Sequence, residues 1–263
     1  MDSARARPAG LRTSIGFTTE DEIRVQGYRL ADELMGTVDF GSMFYLLVTG
    51  RLPGHGEAVL FNAVLVALAD HGLTPSALAA RLTYTGAPEA VQGAVAAGVL
   101  GAGSVFLGVF EDTGRMLRAS GEEAPHDEAE VRRRAKRIVD EYRAAGKRLP
   151  GIGHPIHKSG DPRTARLLEL AREHGTVGPH IQLMLAVQQE AAASASVPLP
   201  LNAGGMCGAV LCDLGIDTSV LRGVAVVSRA AGVVGHLAEE ARAPIGRSLW
   251  TLAEDAVEYR PLR

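Results

Sequence analysis

Apolar residues recur at helical spacing along almost the whole chain, while the strict alternation of a half-buried strand is nearly absent. That pattern confines the chain to packed helices. Segments near 19–35, 39–50, 54–72, 74–83, 87–106 and 109–119 read as helices, separated by short Gly, Pro or Asp breaks. A charged helix follows at 127–145, with others at 162–174, 178–195, 205–214, 217–241 and 247–257. Aromatics are only 5% of the 263 residues, so Ala, Leu and Val must build the core, and 31 glycines suit close helix packing. The length is enough for a sizeable core. The expected fold class is all-α.

Charge and cysteine usage exclude several functions. With 27 Lys+Arg against 30 Asp+Glu, the net charge of -3 lacks the basic footprint of a nucleic-acid binder. The run Arg132-Arg133-Arg134 is flanked by Asp127, Glu128, Glu130, Asp140 and Glu141, and so reads as a salt-bridged solvent face. Cys207 and Cys212 form neither a CxxC pair nor a zinc framework, and no clustered ligands at metal-site spacing appear. The first residues, MDSARARPAG, lack an apolar targeting core, so two buried thiols in a reducing cytoplasm are expected. The uncharged runs Ala90–Phe110 and Ala191–Cys212 are long enough to weigh as membrane spans. Their Gly, Pro, Ser and Asn interruptions point instead to buried segments, and no membrane or nucleic-acid partner is expected.

One stretch, LPGIGHPIHKSGDPR at 149–163, breaks the helical pattern with three prolines and three glycines in fifteen residues. His154, between Gly153 and Pro155, has a constrained backbone; its imidazole suits polarising a carbonyl or holding a carboxylate. His157 reads more simply as capping a turn. Asp161, Pro162 and Arg163 read as a helix N-cap, a first-turn proline and a guanidinium placed beside the loop. A second cluster, LNAGGMCG at 201–208, opens the next apolar helix, where backbone N–H groups favour an anion or a carbonyl oxygen. These residues alone indicate a small polycarboxylate or phosphate.

The segment GIGHPIHKSGDPR, 151–163, closely resembles the GxGHxxxKxxDPR signature of citrate synthases. Further matches are IRVQGYRL from Ile23, the stretch Phe40–Pro53, the Asp70-His71-Gly72 turn, SRAAGVVGH at 228–236 and RSLW at 247–250. The resemblance runs from about residue 11 to 260. In size and wording the chain is similar to citryl-CoA lyases and to the C-terminal module of ATP-citrate lyase. The resemblance implies a citrate synthase-like all-α domain over 11–263. A large helical part would be built from both ends of the chain, and a smaller part, roughly 120–220, would include the 151–163 loop. It also implies an obligate homodimer or higher homo-oligomer with the site in the cleft between the two parts. No permanently bound cofactor is implied; coenzyme A enters as part of the substrate.

Residue by residue, His154 matches the histidine that moves a proton at the substrate carbonyl oxygen. His71, Arg163, Arg229 and Arg247 match substrate-carboxylate ligands, Arg247 reaching into a partner subunit's site. Lys147, Arg148 and Lys158 are placed to meet CoA phosphates. Two departures stand out. Phe106 occupies the place of a family histidine, as is usual in the lyase branch, and Gly204 stands where an Asn-Val-Asp motif supplies the catalytic carboxylate. The implied function is cleavage of citryl-CoA, or a related 3-hydroxyacyl-CoA, to acetyl-CoA and oxaloacetate. Glu111 or Asp112 would then supply the missing carboxylate. The alternatives are a non-catalytic or altered-specificity paralogue that binds acyl-CoA or dicarboxylate, and citrate synthesis. Without a P-loop here, any ATP-dependent citrate activation would lie in a second subunit.

Overall fold

The computed structural model describes residues 10–119, 127–153, 160–193 and 195–262. Among them the structure is all-α but for a small antiparallel sheet near the start: β1 (Gly16–Thr18), β2 (Ile23–Val25) and β3 (Tyr28–Arg29), in the order β1-β2-β3. This corrects the helix expected over 19–35. Gln26 and Gly27 both take positive φ, 49° and 87°, the two-residue turn that closes a hairpin between Val25 and Tyr28. One π-helical turn, Leu30–Leu34, completes the segment.

Eleven α-helices follow among the described residues: α1 (Phe40–Thr49), α2 (His55–Ala69), α3 (Pro75–Gly86), α4 (Val91–Leu100), α5 (Ser104–Arg118), α6 (Glu128–Ala144), α7 (Pro162–Glu173), α8 (Pro179–Ala193), α9 (Ala203–Asp213), α10 (Leu221–Glu240) and α11 (Gly246–Ala256). Their starts follow local chemistry. Asp39, Thr74, Asp127, Asp161 and Asn202 each accept a backbone N–H of the first turn, and Pro75 and Pro162 occupy first-turn positions. The largest boundary difference from expectation lies between α4 and α5. The break between α4 and α5 falls at Gly101–Gly103, and Gly108 lies inside α5. The charged face of α6 is ion-paired as read from sequence, Arg132 with Glu128, Arg133 with Glu130 and Lys136 with Asp140.

The main core gathers around α9. This helix is apolar on all sides, and Gly205 to Cys212 are buried without exception. Helices α2, α5, α7 and α8 surround it. Cys207 and Cys212 are unpaired and buried there; burial pushes the Cys207 thiol up to about 12 and the Cys212 thiol to about 11. Neither uncharged run is one straight helix. Ala90–Phe110 bends by 60° between α4 and α5, and Ala191–Cys212 runs from the end of α8 to α9, with residues 195–202 between them non-helical. Among the described residues one helical stretch, Thr218–Arg242, is long and apolar enough to cross a membrane, but its inner face carries Ser228, Arg229, His236 and Glu240 against the fold.

Helix α10 crosses the end of α2 at very short range. A Cβ at Gly232 would overlap the carbonyl oxygen of Ala69. The two backbones therefore touch, and Arg229 and His236, one turn to either side of Gly232, lie beside the Asp70–Gly72 turn. Gly232→Ala must separate the helices, and is expected to cost about 3 kcal/mol and lower the melting temperature by about 5–10 °C in a thermal denaturation scan.

Candidate active site

A cavity of about 350 Å³ opens where the end of α2 meets the starts of α3, α5, α7 and α9. Its polar wall holds His71, Ser76, Arg163, Asn202 and Arg229; Val105, Phe106, Leu107, Val109 and Phe110 of α5 form an apolar wall opposite. Four helices thus turn their positive ends toward one hollow, to which two guanidiniums are added.

Arg163 is fixed by its own N-cap. Asp161, 3% exposed, accepts from Arg163 Nε at 3.1 Å and from Nη2 at 2.9 Å. The same carboxylate accepts the backbone N–H of Ala203 at 3.1 Å, which joins the starts of α7 and α9. Burial works against the charged carboxylate, but the Arg163 and Ala203 hydrogen bonds prevail and hold Asp161 at about 2. Arg229 differs. It is half-buried, and its Nε is buried with no hydrogen-bond partner among the described residues. Burial lowers its pKa; Asp70 opposes that, and the like charge of Arg163 adds to it. A guanidinium whose Nε–H has lost water and gained no partner among the described residues favours an acceptor in the cavity.

The described start of the proline- and glycine-rich stretch joins this wall by a backbone fit. Gly151, at φ 77°, lies so close to Gly205 that a Cβ on either would collide with the other's backbone. Asn202 N–H donates to Gly151 O at 2.9 Å, and Asn202 Nδ2 donates to Gly153 O at 2.8 Å. With Asp161 held by Ala203, both flanks of the segment 154–159 are tied to the start of α9. His154 and Lys158, and His157 with them, lie outside the described residues.

The remaining predicted residues divide clearly. His71, Arg163 and Arg229 come together on the cavity wall. Arg247, in the first turn of α11, is exposed and does not line the cavity within this chain; Lys147 and Arg148 are exposed after α6 and do not line it either. Glu111 pairs with Arg115 and Arg222, and neither it nor Asp112 faces the cavity, so no described carboxylate stands in for the one replaced at Gly204. The space has another tenant. A Cβ at Gly204 would lie 2.5 Å from Val109 Cγ1. Sequence reading missed Val109, which carries no local signal, and Asn202, whose place before a glycine-rich helix is an N-cap signal.

Both Asp161 and Gly204 are open to direct test. Because Asp161 is held at about 2 in the fold against 3.8 ordinarily, its contribution, about 2 kcal/mol, is complete above about pH 5 and lost as pH falls through 2. Denaturant melts should show the stability gap between wild type and Asp161→Asn narrowing over that window. Gly204→Asp alone should destabilise by about 1–3 kcal/mol through its clash with Val109, and adding Val109→Ala should recover most of that loss in the same melts.

Comparison with known proteins agrees with this fold. Residues 53–249 match the family model described as citrate synthase, C-terminal domain. The fold superposes on citryl-CoA lyase from Hydrogenobacter thermophilus with a TM-score of 0.86 and 32% identity, covering 96% of this chain and 95% of that one. ATP citrate lyase from Methanothrix soehngenii, solved with citrate and coenzyme A, shares the fold at a TM-score of 0.77 and 24% identity, over 98% of this chain and 43% of that one. A probable ATP-citrate synthase of Dictyostelium discoideum is 25% identical over 270 residues, or 96% of this chain. The chain spans about half or less of the length of the curated relatives it matches, 42% in that case. With the helical fold, the loop anchored on α9 and a family model covering most of its length, the chain belongs to the citrate synthase family.

Proposed function

We propose that the chain is a CoA-dependent carbon–carbon lyase that takes citryl-CoA, or a related 3-hydroxyacyl-CoA bearing carboxylates, and releases acetyl-CoA and oxaloacetate. The observation that carries this reading is the Arg229 guanidinium, its Nε buried without a partner among the described residues, on the wall that also holds Arg163 and His71. Such a wall receives the carboxylates of the oxo-acid portion, and the apolar α5 wall receives the thioester arm. His154, between the two anchors on α9, takes the proton of the substrate hydroxyl. The oxygen's electrons form the ketone as the carbon–carbon bond breaks, and the bonding pair passes to the thioester enolate. With no described carboxylate on the cavity wall, water delivers a proton to the enolate carbon and recovers one from His154, which returns to its neutral form. Arg247 joins such a site only from a second copy of the chain, and Lys147, Arg148 and Lys158 meet the CoA phosphates.

Val109 favours a second reading. By filling the place beside Gly204, it suits a site that holds an acyl-CoA or a dicarboxylate without moving a carbon-bound proton. Incubating the protein with citryl-CoA, with oxaloacetate release coupled to NADH oxidation, separates the two. Turnover that falls at least a hundredfold in His154→Ala supports the lyase. No turnover, with CoA-ester binding retained in a calorimeter, establishes the binding reading instead.

A further inference from the structure

Behind the cavity, a line of linked polar groups, buried at Arg81 and Glu240 and open to solvent at Glu239 and Asp70, runs from the first turn of α11 to the His71 turn, and none of its side chains lines the cavity itself. Arg81 on α3 is 1% exposed. Its Nη1 donates to Glu240 Oε2 at 2.8 Å, its Nη2 pairs with Glu239, and its Nε and Nη2 approach His236 Nδ1 at 3.2 and 2.9 Å. A guanidinium has five donors and no acceptor, so His236 Nδ1 must accept and the ring proton must sit on Nε2. Nε2 is 2.8 Å from Asp70 Oδ1 and donates to it. The other Asp70 oxygen accepts Gly72 N–H at 2.9 Å, and the His71 backbone also bonds this carboxylate. At the far end, Glu240 Oε1 accepts Ile245 N–H at 2.9 Å and Gly246 N–H at 2.7 Å, one residue before Arg247.

We infer that His236 is a positioning residue for His71. Arg81 selects its tautomer, that tautomer aims Nε2–H at Asp70, and Asp70 clamps the turn that presents His71 to the cavity. The same Arg81, through Glu240, fixes the start of α11, so one buried cation orders both the His71 turn and the helix carrying Arg247. The inference rests on the reading of His71 as a ligand of the oxo-acid carboxylates.

Two substitutions at one position isolate the effect. Glutamine places an amide N–H near the Nε2 position and an oxygen toward Arg81, and so keeps both bonds. Asparagine reaches Arg81 but is too short for Asp70. We expect His236→Gln to resemble wild type. His236→Asn should shift the His71 ring resonances in NMR spectra and weaken oxaloacetate binding in a calorimeter about five- to tenfold, the value of one lost hydrogen bond. Asp70→Ala, at a side chain 56% exposed and so safe for folding, should do the same, and the double variant should be no worse than either single one. Unchanged His71 resonances in both His236→Asn and Asp70→Ala would overturn the inference. So would equal loss in His236→Gln and His236→Asn, which marks a structural role only. If wild type binds no oxaloacetate, the carboxylate-ligand reading fails, while the His71 resonances still decide the positioning.

Discussion

Where α10 crosses the end of α2 no side chain separates the two backbones, because a methyl group at Gly232 would occupy the space of the Ala69 carbonyl. The organisation of the cavity depends on this approach. It brings Arg229 to the wall beside His71, and it brings His236 within hydrogen-bond distance of Asp70. A wider spacing would leave both side chains short of the turn. The small cluster of Ala80, Ala94, Val233 and Leu237 supports the same face of α10 against α3 and α4. Glycine and alanine at the crossing points, Gly232 here and Ala80 and Ala94 beside it, are what allow helix axes to come so near.

A second close approach assembles the opposite wall. Gly151 rests on Gly205, and Asp161 bridges Arg163 and the Ala203 N–H, so the loop, α7 and α9 meet at one point. The two arginines of the cavity are prepared differently. Arg163 already has a carboxylate and is held rigid by it; Arg229 keeps a buried Nε with no partner among the described residues. One is already oriented, and the other keeps an unused donor that an anion in the cavity would satisfy. The positive ends of four helices add to the same field.

Much of this is legible in the sequence. Helix starts are marked by Asp39, Thr74, Asp127, Asp161 and Asn202 at capping positions, and the helical period locates nearly every helix. The 16–29 hairpin reads as helix because its strands are only two or three residues long, too short for an alternation to register. The bend between α4 and α5 falls earlier than expected because Gly108 looks like a breaker yet sits within α5. On the cavity wall, His71, Arg163 and Arg229 are readable from motif wording, whereas Glu111 and Asp112, near the site in sequence, point elsewhere.

By itself, the sequence determined the helical class, the helix starts, the anion-seeking residue types and the family, because each depends on local spacing or on motifs a few residues long. Only the tertiary structure decided that Val109 fills the space beside Gly204, that Arg229 Nε is buried without a partner among the described residues, and that Arg81 sets the tautomer of His236. The first and last of those facts join residues about 95 and 155 positions apart in the chain. No local pattern encodes the distance between two helices that meet from opposite ends of the chain.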